Sequence, residues 1–198
     1  MNRRDAIKKS ALMAGAVLAG PSLLSLLQSC QRTDRLSWQP LFLSEDQALF
    51  ISSFVDTLLP ATDTPGGLDV KADIFIDLVF AKTYDNEAQQ QVRNDIDQFN
   101  ADAKEKFGDV FSRLDPENRR RCLLDHENES GKFRKSVWGT AVGEEEQPPG
   151  FYRSLKSMAL WAYFSSEEVG REILVYDPIP GEYRGCIPLS DVRNSWAL

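Results

Sequence analysis

Between Ser44 and Ala162, apolar side chains recur every three or four residues in five separate stretches, each closed by a residue that cannot continue a helix. No comparable run alternates with a period of two, so the pattern dictates helices and leaves little for a sheet. The first stretch opens at Ser44-Glu45-Asp46-Gln47, a capping-box spacing in which a hydroxyl and a side-chain amide satisfy the orphan amides of a first turn. Ala48, Ile51, Val55, Leu58 and Leu59 follow at helical intervals, and Pro60 stops them. Ala61-Thr62-Asp63-Thr64-Pro65-Gly66-Gly67 is a loop by its turn residues. A second helix is expected over residues 69–83, with Ile74, Phe75, Leu78 and Val79 as its inner face. A third is expected over 86–107, carrying Val92, Ile96, Phe99, Ala103 and Phe107 and ending at Gly108. Asp115-Pro116-Glu117 starts a fourth, with aspartate as cap and proline in the first turn. It bears Cys122, Leu123 and Leu124.

Residues 128–150 are rich in Gly, Glu and Pro and predict a long loop or a broken helix. Phe151, Leu155, Met158, Ala159 and Ala162 mark a fifth helix, and Ser165-Ser166-Glu167-Glu168 caps a short sixth. From Tyr176 onward, Pro178, Pro180, Gly181, Gly185 and Pro188 forbid regular helix. The expected fold class is therefore all-α: a single helical domain of about five to six helices over residues 44–198, with an irregular, extended C-terminal arm.

The N-terminus follows a different logic. Arg3, Arg4, Lys8 and Lys9 precede an apolar run from Ala11 to Leu27, broken by Gly15, Gly20 and Pro21. A spanning helix needs about 20 unbroken apolar residues, so these breakers point to an export signal over residues 1–29. The Arg3-Arg4 pair is the mark of twin-arginine export, which carries folded proteins; ordinary secretion and an uncleaved basic terminus are the alternatives. Leu27-Gln28-Ser29-Cys30 resembles a lipobox, in which the Cys30 thiol takes a lipid. Gln28 and the Asp5-Ala6 pair depart from the commonest forms of these signals. Residues 30–43 are expected as a polar tether, and the protein as lipid-anchored on the periplasmic face of a membrane.

Loss of residues 1–29 leaves 169 of the 198, enough for one domain with a real core. It removes Arg3, Arg4, Lys8 and Lys9 against Asp5 alone, moving the formal charge from −7 to −10. So acidic a surface excludes nucleic acid as a partner, since phosphate binding needs clustered Lys and Arg, and favours a basic protein partner. With Cys30 assigned to lipid, Cys122 and Cys186 remain: either a disulfide tying the tail to the fourth helix, or two separate buried thiols.

Catalytic signals are sparse. His126 is the single histidine; between Asp125 and Glu127 it could serve as a base or ligand, but a solvated helix-end residue is the expected role. No Cys/His spacing supplies a metal site, no Cys-x-x-Cys-His offers covalent haem, and no Gly-x-Gly-x-x-Gly follows a strand. Glu144-Glu145-Glu146 suits a solvated loop. No catalytic, cofactor-binding or metal residue is therefore assigned. The aromatics are more telling. Phe151, Tyr152, Trp161, Tyr163 and Phe164 crowd one segment, followed by Tyr176, Tyr183 and Trp196. Most are expected in the core, but Trp161 and Tyr163 should point away from Ala159 and Ala162, leaving a surplus for an interface.

Two segments resemble a known family. One is Leu58-Leu59-Pro60-Ala61-Thr62-Asp63-Thr64-Pro65-Gly66-Gly67 followed by Phe75-Ile76-Asp77. The other runs through Phe151-Tyr152, Leu155-Lys156, Tyr163-Phe164-Ser165-Ser166-Glu167-Glu168-Val169-Gly170, Leu174, Tyr176-Asp177 and Pro180-Gly181-Glu182-Tyr183-Arg184-Gly185-Cys186-Ile187-Pro188. Together they resemble the small subunit of gluconate 2-dehydrogenase and related sugar dehydrogenases. The resemblance implies an accessory, non-catalytic subunit with no cofactor of its own. FAD is expected in a large partner subunit and haem c in a c-type cytochrome, with the twin-arginine export machinery as a transient partner. The C-terminal arm then offers Tyr176, Pro180, Tyr183 and Arg184, together with Trp161, as the expected partner interface. A lipid-anchored module binding sugar or protein, without a redox partner, is the other reading.

Overall fold

The computed structural model describes residues 36–131, 136–137, 140–141, 150–175, 181, 186 and 188–191. The described part of the unit spanning Leu36–Leu198 is built from five helices: α1 (Glu45–Leu58), α2 (Ala72–Thr83), α3 (Asn86–Phe107), α4 (Pro116–Glu129) and α5 (Phe151–Phe164). The all-α reading holds. A two-residue antiparallel ladder, Ser136–Val137 with Thr140–Ala141, interrupts the stretch expected as loop or broken helix, and α4 itself runs on to Glu129.

Most boundaries follow the local chemistry of the chain. Ser44 Oγ accepts the Gln47 amide at 3.3 Å, and Gln47 Oε1 accepts the Ser44 amide at 3.3 Å, so the capping box is closed. Such a cap is worth about 1 kcal/mol. Asp85 Oδ1 accepts the Ala88 amide at 2.8 Å and starts α3. Gly108, at φ 92°, ends it in the left-handed region that glycine enters without penalty. Asp115 Oδ1 takes the amides of Glu117 and Asn118, with Pro116 in the first turn of α4. These bonds, that from Asn118 foremost, hold the Asp115 carboxyl below its ordinary value. Beyond α5, the Ser166 hydroxyl accepts the Val169 amide at 3.4 Å, and the short sixth element is a wide π-type turn, Val169–Ile173.

The second helix starts three residues later than the periodicity suggests. Asp69 Oδ2 accepts the Gly66 amide at 2.7 Å, which commits residue 69 to a turn. Lys71 adopts φ 59°, and helix begins only at Ala72. The turn lies hard against α1: a Cβ on Gly67 would stand 2.5 Å from Val55 Cγ1, so only glycine fits.

The core is an aromatic cluster. Phe50 on α1 is fully buried and lies 5.0 Å from Phe99 of α3, 5.6 Å from Phe111 and 6.1 Å from Phe54 between ring centroids. Phe54 also meets Tyr152 of α5 edge-on at 5.9 Å. Edge-to-face pairs of this kind add to the area they bury.

The inner face of α2 is not the expected one. Ala72, Asp73, Ile76, Asp77 and Phe80 are buried, Phe75 is half-buried, and Leu78 is 41% exposed. The helix is turned so that two carboxylates enter the interior, which counting apolar residues could not foresee. Their partners lie in the segment expected as a tether. Leu43 is buried and Leu36, Trp38 and Phe42 pack on the core, so residues 36–43 form a strap rather than free chain. On α4, Cys122 and Leu123 are buried while Leu124 is exposed.

Candidate functional site

Three features of the described surface and its supports bear on function. The first is the anchor of the strap. Asp77, 1% exposed, accepts the amides of Leu41 at 2.7 Å, Phe42 at 3.2 Å and Leu43 at 2.9 Å. One turn earlier, Asp73 accepts the Trp38 indole N–H at 3.1 Å and the Ser52 hydroxyl at 2.7 Å. Arg93 of α3 closes the other side, donating to the Phe42 carbonyl at 2.8 Å with its guanidinium 4.3 Å above the Phe42 ring. Buried carboxylates persist only when their oxygens are filled by donors; for Asp77 these are the three strap amides, and for Asp73 they are Trp38 of the strap, Ser52 of α1 and the Ile74 amide. Asp77 enters the sequence reading only as the end of the Phe75-Ile76-Asp77 motif, with no role of its own, and Asp73 does not enter it. The available signal was a pair of acids at i and i+4 inside an otherwise apolar helix.

The second feature joins α4 to α5. Glu127 receives Arg153 Nη1 at 2.9 Å and Lys156 Nζ at 2.7 Å. The Lys156 bond is the main reason its carboxyl is held below the ordinary value. Burial, aided by Glu127, pushes the Tyr152 phenol well up. Beside it, His126 is not a solvated helix-end residue. Its ring stacks on Phe99 at 3.9 Å and lies 6.1 Å from Tyr152, because the last turn of α4 leans on the aromatic core. Burial lowers its pKa from the ordinary 6.5, against the upward pull of Asp102, Glu129 and Asp125, while Lys106 pushes it down further. A histidine that binds its proton less readily folded than unfolded stabilises less as pH falls through the unfolded value. Stability should therefore decline as pH drops below 6.5, and His126→Gln should flatten that decline in urea titrations at a series of pH values.

The third feature is an open aromatic seam between α2 and α5. Trp161 is 59% exposed and meets Phe75 edge-on at 5.2 Å. Phe164 is 53% exposed, and Leu78 projects on the same stripe as Phe75. Trp161 thus lies where the surplus of aromatics was expected. Tyr163 does not: it is buried with Ala159 and Ala162, and its hydroxyl donates to the Pro65 carbonyl at 2.8 Å. That bond brings together the two motifs that carry the family resemblance, the 58–67 turn and the 163–170 segment.

The remaining expected site residues fare as follows. Cys122 and Cys186 do not pair in the structure; the first is buried and the second exposed, both as free thiols. Burial chiefly, then Asp125, pushes the Cys122 thiol up to about 12, which leaves it a poor nucleophile. Tyr176, Pro180, Tyr183 and Arg184 lie outside the described residues, as do Arg3, Arg4, Cys30 and the Glu144–Glu146 run. Among the described residues no group of three or more His, Cys, Asp or Glu could hold a metal ion, and no helix is long and apolar enough to cross a membrane.

Among the described residues, the two exposed large aromatics, Trp161 and Phe164, stand one turn apart on α5, and exposed apolar patches of this kind mark interaction sites. The chain belongs to the gluconate 2-dehydrogenase subunit 3 family, whose family model matches residues 45–181. The family is one of dehydrogenase subunits, and the match covers the first quoted motif whole and the second as far as Gly181, short of its last seven residues, Glu182 to Pro188. Comparison with curated proteins and with solved structures gives no match.

Proposed function

We propose that this chain is the accessory subunit of an exported, FAD-dependent sugar, glycoside or gluconate dehydrogenase complex. The single observation that carries this reading is the family match over residues 45–181. In this role the chain does no redox chemistry. FAD sits in a large catalytic partner, and haem c in a cytochrome subunit where one is present. The Arg3-Arg4 signal takes the folded pair through the twin-arginine machinery, and a lipid on Cys30 holds the complex on the periplasmic face of the membrane. Trp161 and the arm residues Tyr176, Pro180, Tyr183 and Arg184 belong to the partner interface in this reading. The exposure of Trp161 supports it, since aromatics are enriched where proteins meet.

Purification of the intact complex from membranes tests the proposal. The chain should come with a large subunit showing flavin absorption, and should be inactive alone with sugar and dye. Turnover by the chain alone, or a native preparation without flavoprotein, overturns it.

A further inference from the structure

The strap stands in the chain between the export signal and α1, and its seating depends on residues far from it. Residues 36–43 carry no helix or strand of their own. The bonds that anchor them reach 34 to 51 residues along the chain. One oxygen, Asp73 Oδ2, takes both the Trp38 indole at 3.1 Å and the Ser52 hydroxyl of α1 at 2.7 Å, so that anchor forms only when α1 and α2 are packed together. Phe42 sits between Phe80 of α2, edge-on at 6.2 Å, and Arg93 of α3. Ordering an irregular segment is costly in conformational entropy. The strap therefore docks only where three helices already stand in their final places.

Released, the strap is a different object. Leu36, Trp38, Leu41, Phe42 and Leu43 make five of its eight residues apolar. Leu36 follows Cys30 by six positions, and the apolar run of the signal ends at Leu27. Undocking thus sets a second apolar stretch directly behind the first. Docked, Leu43 is buried and Leu36, Trp38 and Phe42 pack on the core. The tertiary state of α1, α2 and α3 is in this way written onto the chain just behind the signal.

We propose that the strap is a fold-dependent latch on export: seated on Asp73 and Asp77 it presents the signal on a finished domain, and unseated it exposes apolar chain beside the signal and holds the precursor back. The inference rests on the twin-arginine export reading and adds to it the element that reports folding to the signal. The opening involved is local, of the kind a terminal segment undergoes without global unfolding.

The test uses the full chain in its native cells, with its partners present. Pulse labelling reads the ratio of exported to retained chain, so degradation that lowers both forms equally leaves the readout unchanged. Asp77→Ala should lower that ratio about fivefold or more, and the milder Asp77→Asn should fall between it and the wild type. Leu123 is buried on α4, away from the strap. Of Leu123→Ala and Leu123→Val, the one closer to Asp77→Ala in thermal midpoint should keep the ratio within about twofold of the wild type. Adding Leu36→Gln and Phe42→Gln to Asp77→Ala makes the released strap polar and should restore most of the export. A wild-type ratio in both Asp77 variants, or an equal fall in the matched Leu123 variant, overturns the latch while sparing the export reading. A fall in Asp77→Ala that the polar strap does not reverse overturns the role of the apolar stretch and the latch with it. Wild-type export that persists when the twin-arginine machinery is disabled overturns the export reading itself, and the latch falls with it.

Discussion

Phe50→Ala should lower the free energy of unfolding by about 3–5 kcal/mol, the usual cost of emptying a fully buried phenylalanine site. The position warrants the upper half of that range. Phe50 is 0% exposed, and its ring touches side chains from three separate places in the chain: Phe54 beside it on α1, Phe99 on α3, and Phe111 in the short turn before α4. Phe151, at the start of α5, stacks 6.5 Å away. Four rings arranged around one cannot all move inward, so a cavity remains. In a protein of this size the thermal midpoint should fall by roughly 8–15 °C. A fall under about 3 °C would mean the cluster collapses around the gap, and that Phe50 is not its centre.

The second large effect belongs to Asp77. Asp77→Ala removes the acceptor for three amides, two of them on residues packed against the core. Hydrogen bonds to a charged group are worth more than neutral ones, and stranded buried donors cost about 1–3 kcal/mol each. The Leu41 amide can turn to water once released, since its residue is largely exposed. The expected loss is therefore about 3 kcal/mol rather than the sum of all three bonds. Asp77→Asn keeps one carbonyl acceptor and should lose about half as much. Hydrogen exchange supplies the specific readout. The amides of residues 41–43 should exchange slowly in the wild type and rapidly in both variants, while those of α3 and α4 stay protected. Unchanged protection at residues 41–43 would show that Arg93 and Phe42 hold the strap without the carboxylate.

Much of this fold was legible because local chemistry and tertiary packing agree along most of the chain. Ser44, Asp85, Asp115 and Gly108 each sit at the boundary their side chain or backbone favours, and α3 spans the residues its periodicity predicts. Legibility failed where a polar group serves the interior. The carboxylates of Asp73 and Asp77 look like the outer face of α2, and only the donors of a distant segment make burial possible. The same strap, Leu36 to Leu43, resembled a tether because its neighbours in sequence are polar and its partners lie some 35 residues away. His126 was misplaced for a related reason: its stacking on Phe99 depends on how α4 crosses α3, which no spacing within α4 records. At the seam, Trp161 is the surplus aromatic expected from the sequence, whereas Leu78, expected inward, lies at the surface and Phe75 stays half-buried against the core.

The strap also decides how the domain would answer a mechanical load. Tension entering from the N-terminal side at residue 36 meets the Trp38–Asp73 bond first, then the amides gathered on Asp77, and only afterwards the helices. A tug on the leading end would be shared between these short polar contacts and the side chains of Leu36, Trp38 and Phe42 packed on the core.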